Sequence, residues 1–287
     1  MNNLLRTLVY DGQVSLTVAE TTELVKDGIR FHGLSNLSAY VFGKALSAMT
    51  YMSACLKGET GEISLSVKSD GACGEIAVSG NQKLYLRGYI GETCAQGEPN
   101  AQSEQDCFGR NGSLTVIRDD GYSRPFVGSC ALPNQGGVDA AFEEYYRISE
   151  QLPTRLRTIV EFDEQGKCVF AGVIAAQPLP FADRETLDKT WALPLEELLS
   201  EFRKTGLAAG VEARFGKDGQ VWETRKATYR CNCSREYLKG VLVTLGEEQM
   251  RQIIRDDGAV RVHCHYCNTD YEFTDADADV MFPKKKS

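Results

Sequence analysis

Four cysteines in two tight pairs, Cys231-Asn232-Cys233 and Cys264-His265-Tyr266-Cys267, constrain the last quarter of this 287-residue chain more than any hydrophobic pattern in it. Thirty residues, 234 to 263, separate the pairs. Each pair can supply one edge of a tetrahedron from a single turn, leaving one long loop to close. In this arrangement a short chain wraps four thiolates around one Zn²⁺, with Zn–S bonds of about 2.3 Å. The first pair encloses a single residue, where structural zinc sites usually have two to four. Two sulfurs so close can also join if the backbone leaves the extended form, since bridged Cα atoms lie within roughly 7 Å. The spacing therefore predicts a site that changes state.

The thiols themselves supply the chemistry of that change. Zinc holds sulfur as thiolate, the nucleophilic and oxidisable form. A first sulfenic acid would be captured by a neighbouring thiol, and the resulting disulfide no longer ligates metal. Structural zinc is worth about 10–16 kcal/mol in small peptides. A segment of about 45 residues has too little core to stay folded without it, so oxidation is expected to unfold the segment. Two plainer readings remain open from spacing alone: a structural zinc-ribbon-type binding module without switching, or unpaired core thiols. His263 and His265 flank Cys264 and are alternative ligands. Arg230, Arg235 and Arg261 lie near the cysteines in sequence, where they would offset the charge of a four-thiolate centre or simply face solvent.

Charge excludes one large class of partner. The chain carries a net charge of −8, whereas binding nucleic acid needs a basic face. Residues 231–287 hold eight Lys or Arg against ten Asp or Glu, and three of the lysines form the run Lys284-Lys285-Lys286, read as a solvated tail. A zinc hydrolase or deaminase would need an open coordination position beside a general base. A dithiol oxidoreductase would carry one exposed Cys-x-x-Cys on a thioredoxin-like fold. No apolar signal region precedes Asp11 and no run approaches a membrane span, so a cytoplasmic protein is expected. In that compartment ten cysteines read as metal ligands, redox sensors and buried thiols. Cys55, Cys73, Cys130 and Cys168 fall in regular elements and are expected to be buried thiols. Cys94 and Cys107 sit in a long polar stretch, 91–112, either as an auxiliary redox pair or within a surface insertion.

The patterning predicts an α+β protein in three parts: a β-rich N-terminal core domain with packed helices over 1–176, an amphipathic linker over 177–229, and a zinc-binding domain over 230–287. Strands are expected at 4–10, 14–19, 62–68, 75–78, 84–89, 113–118, 124–127, 158–162 and 168–175. Helices are expected at 20–27, 35–57 and 139–149. Met49 and Met52 on the second of these read as core residues. The linker shows helical patterns at 184–191 and 194–203, the latter with Leu195, Leu198, Leu199 and Phe202 on one face and Pro194 at its start. Val211–Phe215 and Val221–Tyr229 read as a hairpin leading into Cys231. Beyond it come helices at 234–244 and 247–255 and strands around 260–262 and 271–273.

The two cysteine pairs, as Cys231-Asn232-Cys233-Ser234-Arg235-Glu236 and His263-Cys264-His265-Tyr266-Cys267-Asn268, together with Ser149-Glu150-Gln151-Leu152-Pro153-Thr154-Arg155-Leu156, resemble the heat shock protein 33 family along the length of the chain. The resemblance implies an ATP-independent holdase chaperone, not an enzyme. One Zn²⁺ per chain would be held by Cys231, Cys233, Cys264 and Cys267 in an inactive reduced state. Oxidation would form the disulfides 231–233 and 264–267, release zinc and unfold the switch domain and linker. Unfolding client proteins would then be bound, with dimerisation on activation and no nucleic acid or membrane partner. The stretch 91–112, with its two cysteines, is longer than the family pattern and leaves open whether only four cysteines respond to oxidant.

Overall fold

The helix at Asn36–Ala54 organises the N-terminal half. Its sequence alternates large apolar residues with Ala, Gly, Ser and Thr, so small side chains occupy the faces that a surface helix would make charged. A helix of that kind is buried all round, and only Asn36, Leu37 and Tyr40 of its nineteen residues escape burial. The hydroxyls of Ser47 and Thr50 return to the carbonyls of Gly43 and Leu46 at 2.8 and 3.0 Å, which satisfies them in the apolar interior. Met49 and Met52 are core residues, at 0% and 2% exposure.

The computed structural model describes residues 3–58, 60–91, 101–219 and 223–283; Cys94 and the Lys284–Lys286 run lie outside them. The chain divides into two units, Met1–Arg230 and Cys231–Ser287, and its architecture is α+β. In the first unit, β1 (Leu4–Val9), β2 (Val14–Glu20), β8 (Arg155–Phe162), β9 (Cys168–Pro178) and β10 (Glu223–Arg225) form an antiparallel sheet in the order β10-β1-β2-β9-β8. A second sheet holds β3 (Glu62–Ser69), β4 (Glu75–Asn81), β5 (Tyr85–Ile90), β6 (Gly112–Asp119), β7 (Phe126–Ala131) and β11 (Thr228–Tyr229), in the order β11-β5-β4-β3-β6-β7. Its pairs are antiparallel except β11 with β5. The helices are α1 (Thr22–His32), α2 (Asn36–Ala54), α3 (Glu104–Phe108) and α4 (Gly137–Tyr145), then α5 (Arg184–Trp191), α6 (Leu195–Thr205) and α7 (Leu207–Phe215). α2 touches strands of both sheets and shares the main core with them.

The other face of the first sheet is covered by the segment read as a linker. Leu195, Leu198, Leu199 and Phe202 of α6, all at 3% exposure or less, pack with Leu5, Val9, Val14, Leu16, Val18, Phe170 and Ile174 in a separate core. Asp183 caps α5 by accepting from the Thr186 amide at 2.8 Å. The guanidinium of Arg155 donates to the carbonyls of Thr190, Trp191 and Leu193 at 3.3, 2.7 and 2.7 Å, satisfying orphan acceptors at the other end of α5. Arg203 lies over the Phe170 ring at 4.3 Å and pairs with Glu161.

The structure corrects two expectations here. Val211–Phe215 is not a strand but the last part of helix α7. Gly206 and Gly216 bound that helix, and Gly210 lets its backbone close on Phe202, leaving no room for a Cβ. The described residues 223–229 do not form its hairpin partner. They form β10 on the edge of β1 and β11 on the edge of β5.

The cysteine expectations also change. Cys73 is not a free thiol, and Cys107 does not pair with Cys94. Cys73 and Cys107, both fully buried, form a disulfide with Cα atoms 5.1 Å apart. Cys130 and Cys168 are buried free thiols and Cys55 is a half-buried one. The reason lies in how α3 docks. Ser69 donates to the Phe108 carbonyl, the Ala72 and Cys73 amides donate to the Asp106 and Cys107 carbonyls at 3.0 and 2.8 Å, and Asp70 accepts from the Arg110 and Asn111 amides at 2.9 and 3.0 Å. Gly71 has no space for a Cβ against the backbone of residues 107–109, so the turn between β3 and β4 admits another backbone only with glycine there. α3 also presents Glu104, whose carboxylate lies 2.9 Å from the buried Lys44 ammonium, with Asp139 3.2 Å away on the other side. Burial pushes the Asp139 carboxyl up, while the two carboxylates hold Lys44 up despite its own burial. We read the triad as one ammonium shared by two acceptors, because Asp139 also accepts from the Thr158 hydroxyl at 2.5 Å and Glu104 from the Val138 amide at 2.9 Å.

Candidate metal centre

The second unit is small. α8 (Arg235–Val243) and α9 (Glu247–Asp257) precede a hairpin of β12 (Val260–Cys264) and β13 (Thr269–Phe273), and α10 (Asp275–Met281) follows. Ser234 caps α8 by accepting from the Tyr237 amide at 3.0 Å, Gly258 ends α9 in the left-handed conformation, and Thr274 with Asp277 forms a capping box on α10. Its buried core is Leu242, Met250, Ile254, Val260, Phe273 and Ala278. Six such side chains are few for a unit of this size, and a domain this small usually needs a metal or disulfides to hold it.

The four cysteines meet in this unit. Cys264 ends β12; Cys267 lies in the turn, its amide donating to the Cys264 carbonyl at 3.3 Å, and Asn268 takes a positive φ of 52° to start the return strand. Cys231 and Cys233 come from the stretch just before the α8 cap. The Cys231 and Cys264 sulfurs are 3.6 Å apart, those of Cys233 and Cys267 3.2 Å, and all four lie within 4.8 Å of one another. A regular tetrahedron with 2.3 Å bonds has edges of about 3.8 Å, so the cluster fits one zinc ion. All four are free thiols, Cys267 buried and the others half-buried.

Sequence reasoning passed over two neighbours of the cluster. The Tyr271 hydroxyl is 3.3 Å from the Cys233 sulfur, and the Thr269 hydroxyl is 3.3 Å from that of Cys267. Thr269, two residues after Cys267 at the start of β13, was findable as a turn hydroxyl. Tyr271 depends on the hairpin register. Burial pushes the Cys231 thiol up to about 11. At Cys233 burial also pushes upward, but hydrogen bonds from Tyr271 and the neighbouring thiols outweigh it and bring the group down to about 7. Without metal, Cys233 is therefore the thiol most readily ionised of this pair.

The alternative ligands and counter-charges have partners of their own. His263 Nδ1 lies 2.7 Å from Asp270 across the hairpin and its ring stands edge-on to His265 at 4.9 Å. Arg235 binds Asp277 at 2.8 Å above the Phe273 ring, Arg261 binds Glu272 at 3.2 Å, and Arg230 lies over the Tyr85 ring at 4.5 Å. Among the described residues no helix is long and apolar enough to cross a membrane.

Comparison with known proteins gives a consistent result. A family model described as Hsp33 protein matches residues 2–274. A 33 kDa chaperonin of Clostridium botulinum (strain Hall) is 30% identical over 282 residues, covering 95% of this chain and 94% of the relative. Those of Clostridium novyi (strain NT) and Acetivibrio thermocellus are each 31% identical, covering 95% of both chains and 96% and 94%, respectively. The crystal structure of a 33 kDa chaperonin from Thermotoga maritima superposes with a TM-score of 0.81 at 25% identity, over 98% of this chain and 97% of that one.

Proposed function

The chain belongs to the Hsp33 family and has an Hsp33-type chaperone role, and on that premise we propose how its redox control works. In the reduced protein Cys231, Cys233, Cys264 and Cys267 hold one zinc ion, which cross-links a unit whose own core is six buried side chains. That four-sulfur cluster carries the reading. When bound, zinc keeps all four sulfurs as thiolates and fixes the fold of the unit.

A thiolate attacks a peroxide oxygen, breaking the O–O bond and releasing hydroxide, which takes up a proton as water, to give a sulfenic acid; a neighbouring thiol then displaces a second water from that sulfenic sulfur. Two peroxides thus convert four thiols into the disulfides 231–233 and 264–267, with four waters formed. A sulfur in a disulfide is no longer a thiolate ligand, so residues 230–287 lose their cross-link and unfold. In this division 1–176 is the core domain and 177–229 the linker that unfolds with the switch. Release of α6 uncovers the apolar face of Leu5, Val9, Leu16, Val18, Phe170 and Ile174, an exposed patch of the kind folded monomers hide. Unfolding client proteins bind there without nucleotide, two activated chains associate, and the work is done in the cytoplasm.

The test measures zinc content alongside suppression of aggregation of a chemically unfolded protein, before and after peroxide under mildly denaturing conditions. One zinc per chain, lost as activity appears, is the expected result. Zinc retained with activity unchanged would reduce the cluster to a structural site.

A further inference from the structure

Residues 223–230, the last of the first unit before Cys231, strap its two sheets by main-chain pairing. β10 lies antiparallel on β1, with Leu4 opposite Arg225 and Arg6 opposite Glu223, and the Asn3 amide donates to the Arg225 carbonyl at 3.0 Å. The Asn3 side chain then meets Ala227 as a backbone would, Oδ1 accepting from its N–H at 2.8 Å and Nδ2 donating to its carbonyl at 3.4 Å. One step further, β11 lies parallel on β5. The Thr228 and Arg230 amides donate to the Leu84 and Leu86 carbonyls at 2.9 and 2.7 Å. The Tyr229 hydroxyl continues the ladder with its side chain, donating to the Gly88 carbonyl at 3.0 Å and accepting from the Gly88 N–H at 3.3 Å. Its ring, 7% exposed, tilts against Phe31 at 5.2 Å.

The outward backbone groups of β5, at Leu84, Leu86 and Gly88, are therefore satisfied by a segment only two residues of which form a strand. Removing it leaves the Leu84 and Leu86 carbonyls and the Gly88 N–H without these partners, while the Gly88 carbonyl keeps His32 Nε2 at 2.8 Å, and a strand edge in that state is a template for another chain. Main-chain pairing reads no side chains, so such an edge accepts extended segments of many sequences. A native protein offers few, because its edge strands are kept short, charged, bulged or covered.

We propose that residues 223–230 are an internal placeholder, and that once they leave, the edge of β5 captures an extended segment of a non-native client as an added strand. This rests on the reading that oxidation unfolds the linker. It adds to that reading a binding surface, the Leu84–Gly88 edge, distinct from the apolar face beneath α6, and a mode of recognition.

Hydrogen exchange of the full chain tests it in three states, all under the same mildly denaturing conditions: reduced with zinc, oxidised by peroxide, and oxidised with chemically unfolded, cysteine-alkylated lysozyme. On oxidation the amides of Thr228, Arg230 and Gly88 are expected to exchange at least tenfold faster. On adding the client, Gly88 is expected to slow again at least tenfold while Thr228 and Arg230 stay fast. If Thr228 and Arg230 remain slow after oxidation, the linker reading and edge capture both fall. If they become fast and the client leaves Gly88 fast, the linker reading stands and edge capture is wrong. Recovery of Gly88 together with Thr228 and Arg230 means that the strap has redocked, which also overturns the proposal.

Discussion

Replacing Leu198 and Phe202 by glutamate separates the covering role of α6 from the redox chemistry. The four side chains that dock this helix are each at 3% exposure or less, and burying each contributes about 1.5–3 kcal/mol. Together they supply about 6–12 kcal/mol, an upper bound because the unfolded chain already buries part of this surface. The double substitution removes two of the four contributions. It also places two carboxylates in the buried apolar cluster that includes Leu16, Phe170 and Ile174, where an uncompensated charge costs several kcal/mol. The balance turns against docking, so L198E/F202E is expected to leave the sheet face open while the four thiols stay reduced. The assay is suppression of aggregation in excess reductant, with zinc content and proteolytic cleavage within 184–215 read on the same samples. Activity with zinc retained and the helix cleaved supports the cover. A helix that is cleaved readily in a reduced, inactive protein would refute it.

Chelating zinc from the reduced protein is expected to abolish exchange protection of α9 and β12 while leaving that of α2 intact, as read by hydrogen exchange. Lys44→Met strands Glu104 and Asp139 without their ammonium and is expected to destabilise the first unit by about 3–5 kcal/mol in denaturant titration. Cys107→Ser opens a closure of 34 residues, worth about 4 kcal/mol on the chain-entropy model; denaturation without reductant should show up to that loss, with zinc content unchanged. Hydrogen bonds from Asn111 and the Arg110 amide hold the Asp70 carboxyl down at about 2. Its folded value lies below the unfolded one, so its contribution is complete above about pH 4 and is lost as pH falls through 2. The Arg110 and Asn111 amides should gain exchange over that window beyond the intrinsic pH effect, and Asp70→Asn should remove the transition.

Much of the architecture was readable because its signals are local. The longer strands of both sheets announce themselves by apolar patterning, and α6 by four apolar residues on one face after Pro194. The two cysteine pairs needed only their spacing to be brought together, since each lies within a few residues of a turn or cap. What stayed hidden depends on distant chain segments. Ala208, Ala209 and Val211 carry no period that separates helix from strand, and α7 is settled by Gly210 fitting under Phe202. Cys73 meets Cys107 because Gly71 admits the backbone of residues 107–109, and a glycine in a turn does not say what approaches it. Strands β10 and β11 have three and two residues. Segments so short have little pattern of their own, and their pairing comes from the edges they cover.

The two units differ in what holds them together. The first unit is held by α2 buried between two sheets, a disulfide and a buried ion triad, none of which involves the four-cysteine cluster. The second has six core side chains and four sulfurs. Loss of the sulfurs as ligands would, on the proposed switch, remove a principal constraint on the second unit while leaving each of those supports in the first. Undocking α6 is a separate cost, set by its own buried face. On the proposed switch, the cluster would govern the second unit through chemistry alone, whereas uncovering the sheet would need the linker weakened as well. Mild denaturing conditions would supply that weakening, so oxidant and unfolding stress together are expected to open this surface more readily than either alone.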